Sequence, residues 1–275
     1  MAELDFEKLS MDPAAQEMLK KAQAEGIETI FDRAKAMKPC PIGIEGACCR
    51  ICAQGPCRVP PPKKKEGETG EEKKQRMGLC GATAETIVAR NFARMVAAGT
   101  ASHSDHARGV AKLFIEVANG RTQGYKIKDV TKLRRVAKDW DVAVNVGEGD
   151  DAKPRSAEDI AIELGPKVLA EFGQQEGEIN YVKRAPKKRQ EIWRKHGVVP
   201  RGVDIEVVEL MHRTHMGVDQ DYHNLMKQST RCALADGWSG SMISTDLQDI
   251  MVGCPTPVAG EINLGVLKED HVNVV

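Results

Sequence analysis

Residues 40–58 read C-P-I-G-I-E-G-A-C-C-R-I-C-A-Q-G-P-C-R, and one more cysteine follows in G-L-C-G at 78–81. Six of the eight cysteines, Cys40, Cys48, Cys49, Cys52, Cys57 and Cys80, therefore fall within 41 residues. A C-x2-C step lets two thiolates, Cys49 and Cys52, reach one centre from a tight turn. Gly55-Pro56 before Cys57 forces another turn that brings a third sulfur back, and Cys80 can supply a fourth. Four thiolates are what a cubane iron–sulfur cluster requires. Cys40 and Cys48 are left over. Adjacent residues of an extended chain point to opposite sides, so Cys48 and Cys49 are expected to serve different centres. Two copies of the Cys40/Cys48 pair facing each other across a two-fold axis would make a second set of four. The expectation is one cluster per chain and one shared across a homodimer. Zinc is the competing ion, but four-cysteine zinc sites usually pair two short hooks. Here there are one hook, an x4 step and a cysteine doublet, which favours iron–sulfur. Arg50 and Arg58 flank the cysteines, where their charge would favour a reduced, more negative cluster; simple surface solubility is the alternative.

Composition narrows the function from the other side. The chain has 275 residues, with 40 basic and 40 acidic side chains and 4% aromatics. Balanced charge argues against a nucleic-acid or anionic-membrane partner, and so few aromatics argue against base-stacking platforms. The N-terminal M-A-E-L-D-F-E-K-L-S-M-D-P has no apolar h-region, and no stretch approaches the ~18 apolar residues of a membrane span. A soluble, cytoplasmic protein is expected. In that reducing compartment cysteines serve metals or catalysis rather than disulfides.

The remaining pattern is mainly α. Asp12-Pro13 predicts a cap and first helical position, with a helix running past Phe31 and Gly26 as a candidate interruption of it. P-P-P-K-K-K-E-G-E-T-G-E-E-K-K-Q-R at 60–76 reads as an exposed charged insertion. Thr83 opens a helix with an apolar stripe of Ile87, Val88, Met95 and Val96 that is expected to stop near Gly99. A second helix carries His103, His106, Val110, Leu113, Phe114 and Val117 to Asn119-Gly120. Residues 121–155 are weakly patterned. Ser156 caps a helix with Ile160, Leu164, Val168 and Phe172 on one side. A basic stretch at 183–195 reads as a solvated helix face. Helical patterns follow at about 204–216, 221–236 and 245–251, with Gly217 and Gly237 as C-caps of the first two. His271–Val275 reads as a β-strand. The division expected is an N-terminal helix at 1–39, a cluster-binding segment at 40–82, a helical domain at 83–255, and the start of an α/β domain at 256–275.

The cysteine string, together with G-L-C-G-A-T-A-E-T-I-V-A-R-N at 78–91 and A-A-G-T-A-S-H-S-D-H at 97–106, resembles the N-terminal region of anaerobic nickel–iron carbon monoxide dehydrogenases. H-M-G-V-D at 215–219, A-L-A-D-G at 233–237 and N-L-G-V-L-K-E-D-H-V-N-V-V at 263–275 extend the likeness over nearly the whole chain from about Pro13. The resemblance implies an oxidoreductase that interconverts carbon monoxide and water with carbon dioxide, two protons and two electrons. It implies that Cys49, Cys52, Cys57 and Cys80 hold a four-iron B-cluster, and that Cys40 and Cys48 hold a D-cluster, four-iron or two-iron, with their symmetry mates. His103 matches a histidine that assists proton movement and stabilises bound carbon dioxide. His106 would be the next member of a histidine track, which some relatives continue where this chain has Gly109 and Lys112. The nickel–iron–sulfur C-cluster is expected only C-terminal to this region, in a Rossmann-like α/β domain that the terminal strand opens. Its ligands are not in this chain, so turnover by this polypeptide alone is not expected. A homodimer, a ferredoxin-type electron acceptor and an acetyl-CoA synthase subunit are the implied partners. Two other readings stand beside this one: a separate iron–sulfur electron-transfer or assembly module without carbon monoxide chemistry, and a relative of the hybrid-cluster proteins. The Cys40 and Cys48-Cys49 arrangement argues against the latter.

The other candidates have plainer readings. His212 and His215 form H-x2-H on a predicted helix, where no third ligand is evident. Cys232 fits an apolar helical pattern as a small core residue, and Cys254 sits in a proline turn. Met211, Met216 and Met226 are expected in the core.

Overall fold

The computed structural model describes residues 5–37, 40–59, 76–147 and 149–254, and these divide after Ile44 into two units. The expected strand at 271–275, the α/β segment at 256–275 and all of the charged insertion except Arg76 lie outside the described residues.

Among its described residues the first unit contains four helices: α1 (Phe6–Leu9), α2 (Pro13–Ala24), α3 (Ile30–Met37) and α4 (Pro41–Ile44). Asp12 caps α2 as its sequence predicts, accepting from the Ala14 N–H at 3.0 Å, while Pro13 occupies the position whose N–H needs no partner. The helix expected to pass Phe31 is interrupted at the candidate break, Gly26, and forms two helices. The chain leaves α2 through Gly26 at φ +72°, and Asp32 then accepts from the N–H and hydroxyl of Thr29 at 2.8 and 2.7 Å to start α3. None of the four helices has a buried residue.

The second unit opens with a two-residue antiparallel ladder, β1 (Cys48–Cys49) on β2 (Cys57–Arg58). Next comes α5 (Ala84–Ala118), 35 residues long. Thr83 caps it, its hydroxyl accepting from the Thr86 N–H at 3.3 Å. The break expected at Gly99 does not occur. An exposed glycine costs a helix only about 1 kcal/mol, and the buried face on either side, Ala89, Ala93, Ala97, Thr100 and Ser104, continues without a phase change. That face also corrects the expected stripe: Ile87 is buried, but Val88 and Met95 are exposed and small residues make the contact.

Beyond α5 come α6 (Val130–Asp139), a second small ladder of β3 (Asn145–Val146) with β4 (Lys153–Pro154), and α7 (Ala157–Phe172). Then follow α8 (Lys187–His196), α9 (Val203–Arg213), α10 (Tyr222–Ala235), a π-helical turn at Asp236–Ser241, and α11 (Met242–Val252). The helix α6 arises in the stretch that reads as weakly patterned. It is marked only by Leu133, Val136 and Ala137 facing inward and by Asp129, which accepts from the Lys132 N–H at 2.8 Å. Ser156 caps α7 as expected, at 3.0 Å from the Asp159 N–H. The basic helix α8 has no buried residue, as a solvated face should. Gly237 is no C-cap: it lies inside the π-helical turn. The helix α9 stops at Arg213, with Thr214 rather than Gly217 as its cap.

The core is built around α5, which packs against α7, α9, α10 and α11. Phe114, Leu133, Val136, Ile160, Leu164 and Ile250 are fully buried in it. Gly165 is what lets α7 lie close: a Cβ there would stand 2.6 Å from Ile115 Cγ1. Met211, Met216 and Met226, expected in the core, are instead partly exposed, at 36%, 37% and 40%. The fold is mainly α, as the sequence predicts, and among the described residues no helix is long and apolar enough to cross a membrane.

Candidate metal centre

Cys49, Cys52, Cys57 and Cys80 line one pocket. The ladder does the first part of the work. Its register puts Cys49 directly opposite Cys57, and Val59 closes it by donating its N–H to the Ala47 carbonyl at 3.0 Å. Between the strands, the Gly55 N–H donates to the Cys52 carbonyl at 3.3 Å. A Cβ on Gly55 would stand 3.0 Å from the Cys57 nitrogen, so the turn that returns Cys57 to the pocket leaves almost no room for a side chain. On the far side, Gly78 donates to the Ala82 carbonyl at 2.8 Å and presents Cys80. The Leu79 N–H lies 3.5 Å from Cys57 Sγ. Among the described residues, the rest of the lining is Ile51, Leu79, Ala82, Ile87 and Met216 with one charged residue, Arg90. Neighbours in the doublet diverge as expected: Cys49 lines this pocket and Cys48 does not.

Side chains of α5, with Gln220 from the connection before α10, hold the loop from behind. Asn91 donates to the carbonyls of Gly46 and Cys48 at 2.8 and 3.1 Å. Gln220 donates to the Cys80 carbonyl at 2.9 Å, while its own carbonyl accepts from the Thr86 hydroxyl at 2.7 Å. Arg90 is 1% exposed. It reaches Cys80 Sγ at 3.7 Å and the Asp219 carbonyl at 2.6 Å. Burial by itself pushes the Cys80 thiol up. The Ala82 N–H, the Arg90 guanidinium and Gln220 outweigh it and leave the thiol below its ordinary range.

These contacts test whether the pocket suits an iron–sulfur cluster. Its donor set is four thiols, the ligand number of a cubane. Its single cation is buried, and the Nε of that cation has no hydrogen-bond partner, so an anionic occupant is what the wall lacks. No three His, Cys, Asp or Glu side chains among the described residues converge closely enough to grip one ion; the thiols are spread around the pocket. The residues fit.

Elsewhere the sequence-predicted residues are scattered. Cys40 is exposed in the first unit, where its carbonyl accepts from the Ile44 N–H at 3.0 Å. Cys48 is half-buried on β1. Arg50 and Arg58 are exposed, and neither lines the pocket. His103 and His106 are exposed on α5. His103 Nδ1 sits 2.9 Å from both carboxylate oxygens of Asp236, which the π-helical turn presents and the Ser241 hydroxyl steadies at 3.0 Å. His106 Nε2 lies 3.3 Å from the amide nitrogen of Gln248. His212 and His215 are exposed. Cys232 is fully buried, and burial pushes its thiol up to about 11, as a small core residue requires. Cys254 is exposed, and its contact with Asp249 raises its thiol. Sequence reasoning missed Arg90, Asn91 and Gln220. The first two follow the run T-I-V-A at 86–89, and only their position about two turns into the helix that follows the cysteine G-L-C-G could have pointed to them.

The chain is similar to known proteins over its whole length. The family described as Prismane/CO dehydrogenase matches residues 47–275. Carbon monoxide dehydrogenase 1 of Methanosarcina mazei is 49% identical over all of this chain and 41% of its own length. A nickel-free crystal structure of carbon monoxide dehydrogenase from Thermococcus sp. AM4 superposes with a TM-score of 0.78 at 45% identity, over 97% of this chain and 40% of that one. A structure of acetyl-CoA synthase/carbon monoxide dehydrogenase, described for NiZn[Fe4S4] and NiNi[Fe4S4] clusters in its alpha subunits, superposes at 0.73 and 37% identity, over 90% of this chain and 35% of that one. The chain thus spans about two-fifths of the length of these relatives.

Proposed function

Because the chain belongs to the Prismane/CO dehydrogenase family, we propose that it is the electron-carrying part of an anaerobic carbon monoxide dehydrogenase. The reaction served is CO + H2O to CO2 + 2 H+ + 2 electrons, with a ferredoxin-type protein as final acceptor. The observation that carries the proposal is the single pocket walled by Cys49, Cys52, Cys57 and Cys80. These four would hold a four-iron cluster, the B-cluster of the family, which when bound supplies reversible one-electron storage. The apolar lining limits water, and the loop hydrogen bonds fix the thiols in place, both of which tune a cluster's potential. Cys40 and Cys48 are proposed as half of a D-cluster ligand set completed by a second copy; the count of leftover thiols supports this. A nickel–iron–sulfur C-cluster would be held by residues outside this sequence. The acetyl-CoA synthase assembly among the similar structures supports such a subunit as a partner.

His103 is proposed to handle protons for the reaction. Asp236 against Nδ1 leaves Nε2 as the exchanging atom. His106 would extend the path by one step at i+3 spacing.

The test is elemental and spectroscopic. Anaerobically purified protein should contain iron and acid-labile sulfide in a ratio near one, with an odd number of cubanes per dimer if the shared cluster is four-iron. Zinc in place of iron would overturn the reading. An assay of carbon monoxide with a viologen dye should give no turnover from this polypeptide alone.

A further inference from the structure

Among the described residues, Arg90 is the one charged residue in the pocket wall, and its surroundings are unusual for a guanidinium. It is 1% exposed. No carboxylate among the described residues pairs with it. Its contacts are the Asp219 carbonyl at 2.6 Å, the Gln220 side-chain oxygen at 3.4 Å and Cys80 Sγ at 3.7 Å. Its Nε is buried without a partner. Burying a cation in apolar surroundings costs heavily unless an anion compensates it. Of the other buried ionisable side chains, Glu171 is met by the Asn180 N–H and the Ser239 hydroxyl, and Glu206 and Asp246 have partners of opposite charge. Glu206 faces Arg201 and Arg231 at 3.0 Å each, and Asp246 faces Arg184 and Lys132 at 2.8 and 3.1 Å. Arg90 faces only neutral carbonyl groups and a thiol.

We infer that Arg90 is the counter-charge of the cluster held by Cys49, Cys52, Cys57 and Cys80, and that it sets how readily that cluster is reduced. The inference rests on reading the pocket as an iron–sulfur site. One electron received from the carbon monoxide-oxidising centre adds one negative charge, with no bond made or broken and no proton taken up. A fixed cation against Cys80 Sγ offsets that charge in a medium that screens it poorly. Arg50 and Arg58, although closer in sequence to the cysteines, are exposed, and water and salt screen them. The Asp219 and Gln220 contacts hold the guanidinium in place, so it needs no reorganisation when the electron arrives.

The experiment is a redox titration of the cluster's electron paramagnetic resonance signal, with iron and sulfide counted in the same samples of the anaerobically purified protein. Arg90→Gln and Arg90→Met remove the charge; glutamine can still donate to the Asp219 carbonyl. Arg90→Lys keeps the charge without the planar fork. The neutral variants should keep their iron and become harder to reduce by tenfold or more, about 59 mV more negative for a one-electron couple, with lysine nearer the parent. If the neutral variants lose their iron and lysine retains it, the cation itself is required to seat the cluster, which also supports the inference. Neutral variants with full iron and the parent's potential would overturn it. Loss of iron from all three would assign Arg90 to loop scaffolding and would overturn it as well. Zinc in the parent protein would instead overturn the iron–sulfur reading on which the inference stands.

Discussion

At its first turns α5 meets the cysteine loop through a thin layer, Cys49, Val59, Ala82, Ala84 and Ile87. At its far end Phe114 is buried among Leu133, Val136, Ile160, Leu164 and Ile250. The same helix therefore serves two regions that cohere in different ways. The helical body is secured by buried apolar area, at roughly 25 cal/mol per Å². The loop has too little of that. It is secured by directed hydrogen bonds from Asn91, Gln220 and Thr86 to loop and turn carbonyls, and by whatever the four thiols grip. Stability of the body should be a property of the chain alone, whereas that of the loop should depend on metal.

Four measurements press on that difference. The largest effect is expected from Cys52→Ser, which removes one thiolate of the pocket. Its paramagnetic signal and iron should be lost and electron transfer cut, with thermal unfolding of the metal-free protein and the association state both unchanged. Unchanged visible absorbance would break the assignment. Next is Phe114→Ala, which opens a core cavity worth about 3–5 kcal/mol. It should lower the unfolding midpoint equally in loaded and metal-free protein; a drop in only one would mean the body is not independent of the loop.

Acid is the third probe. Burial pushes Glu206 and Asp246 up, but their arginine, glutamine, tyrosine and lysine partners outweigh it and hold both carboxyls below their ordinary values. A lowered native value means stability that is fully present above the unfolded value and lost as pH falls through the native one. The metal-free body should therefore weaken from about pH 4 to 4.5 downward. Glu171 works the other way: burial raises it, so its contribution is complete below the ordinary value and fades as pH rises through the native one. Thermal unfolding followed across pH reads both limbs. The smallest effect belongs to Asn91→Ala, about 1 kcal/mol, confined to the loop. Amide exchange should speed up near residues 46–49 and stay constant in α7 and α11.

Much of this was legible in the sequence, and the physics says which parts were not. The caps at Asp12, Thr83 and Ser156 are local hydrogen-bond chemistry and read directly. The convergence of Cys49, Cys52, Cys57 and Cys80, and the divergence of Cys48 from Cys49, follow from ligand number and strand geometry. Gly99 misled because a glycine's local preference is weaker than the packing of the alanine face around it. The helix α6 was hidden because a short, basic, half-buried helix has few apolar positions to set a period. Met211, Met216 and Met226 read as core because they are apolar, although apolar type does not fix burial. Arg90 could not be found from type or pattern: arginine is rarely fully buried, and nothing local announces a cation with no carboxylate beside it.

The unbroken helix α5 also works as a ruler. At 1.5 Å per residue, Arg90 and His103 stand about 20 Å apart along one rigid rod, so distance and azimuth between the thiol pocket and the histidine are fixed by counting residues. One residue inserted between them would leave the cysteine loop intact but swing His103 about 100° around the axis, away from Asp236. Length variation should thus be tolerated in the connections around α5 and not within this span.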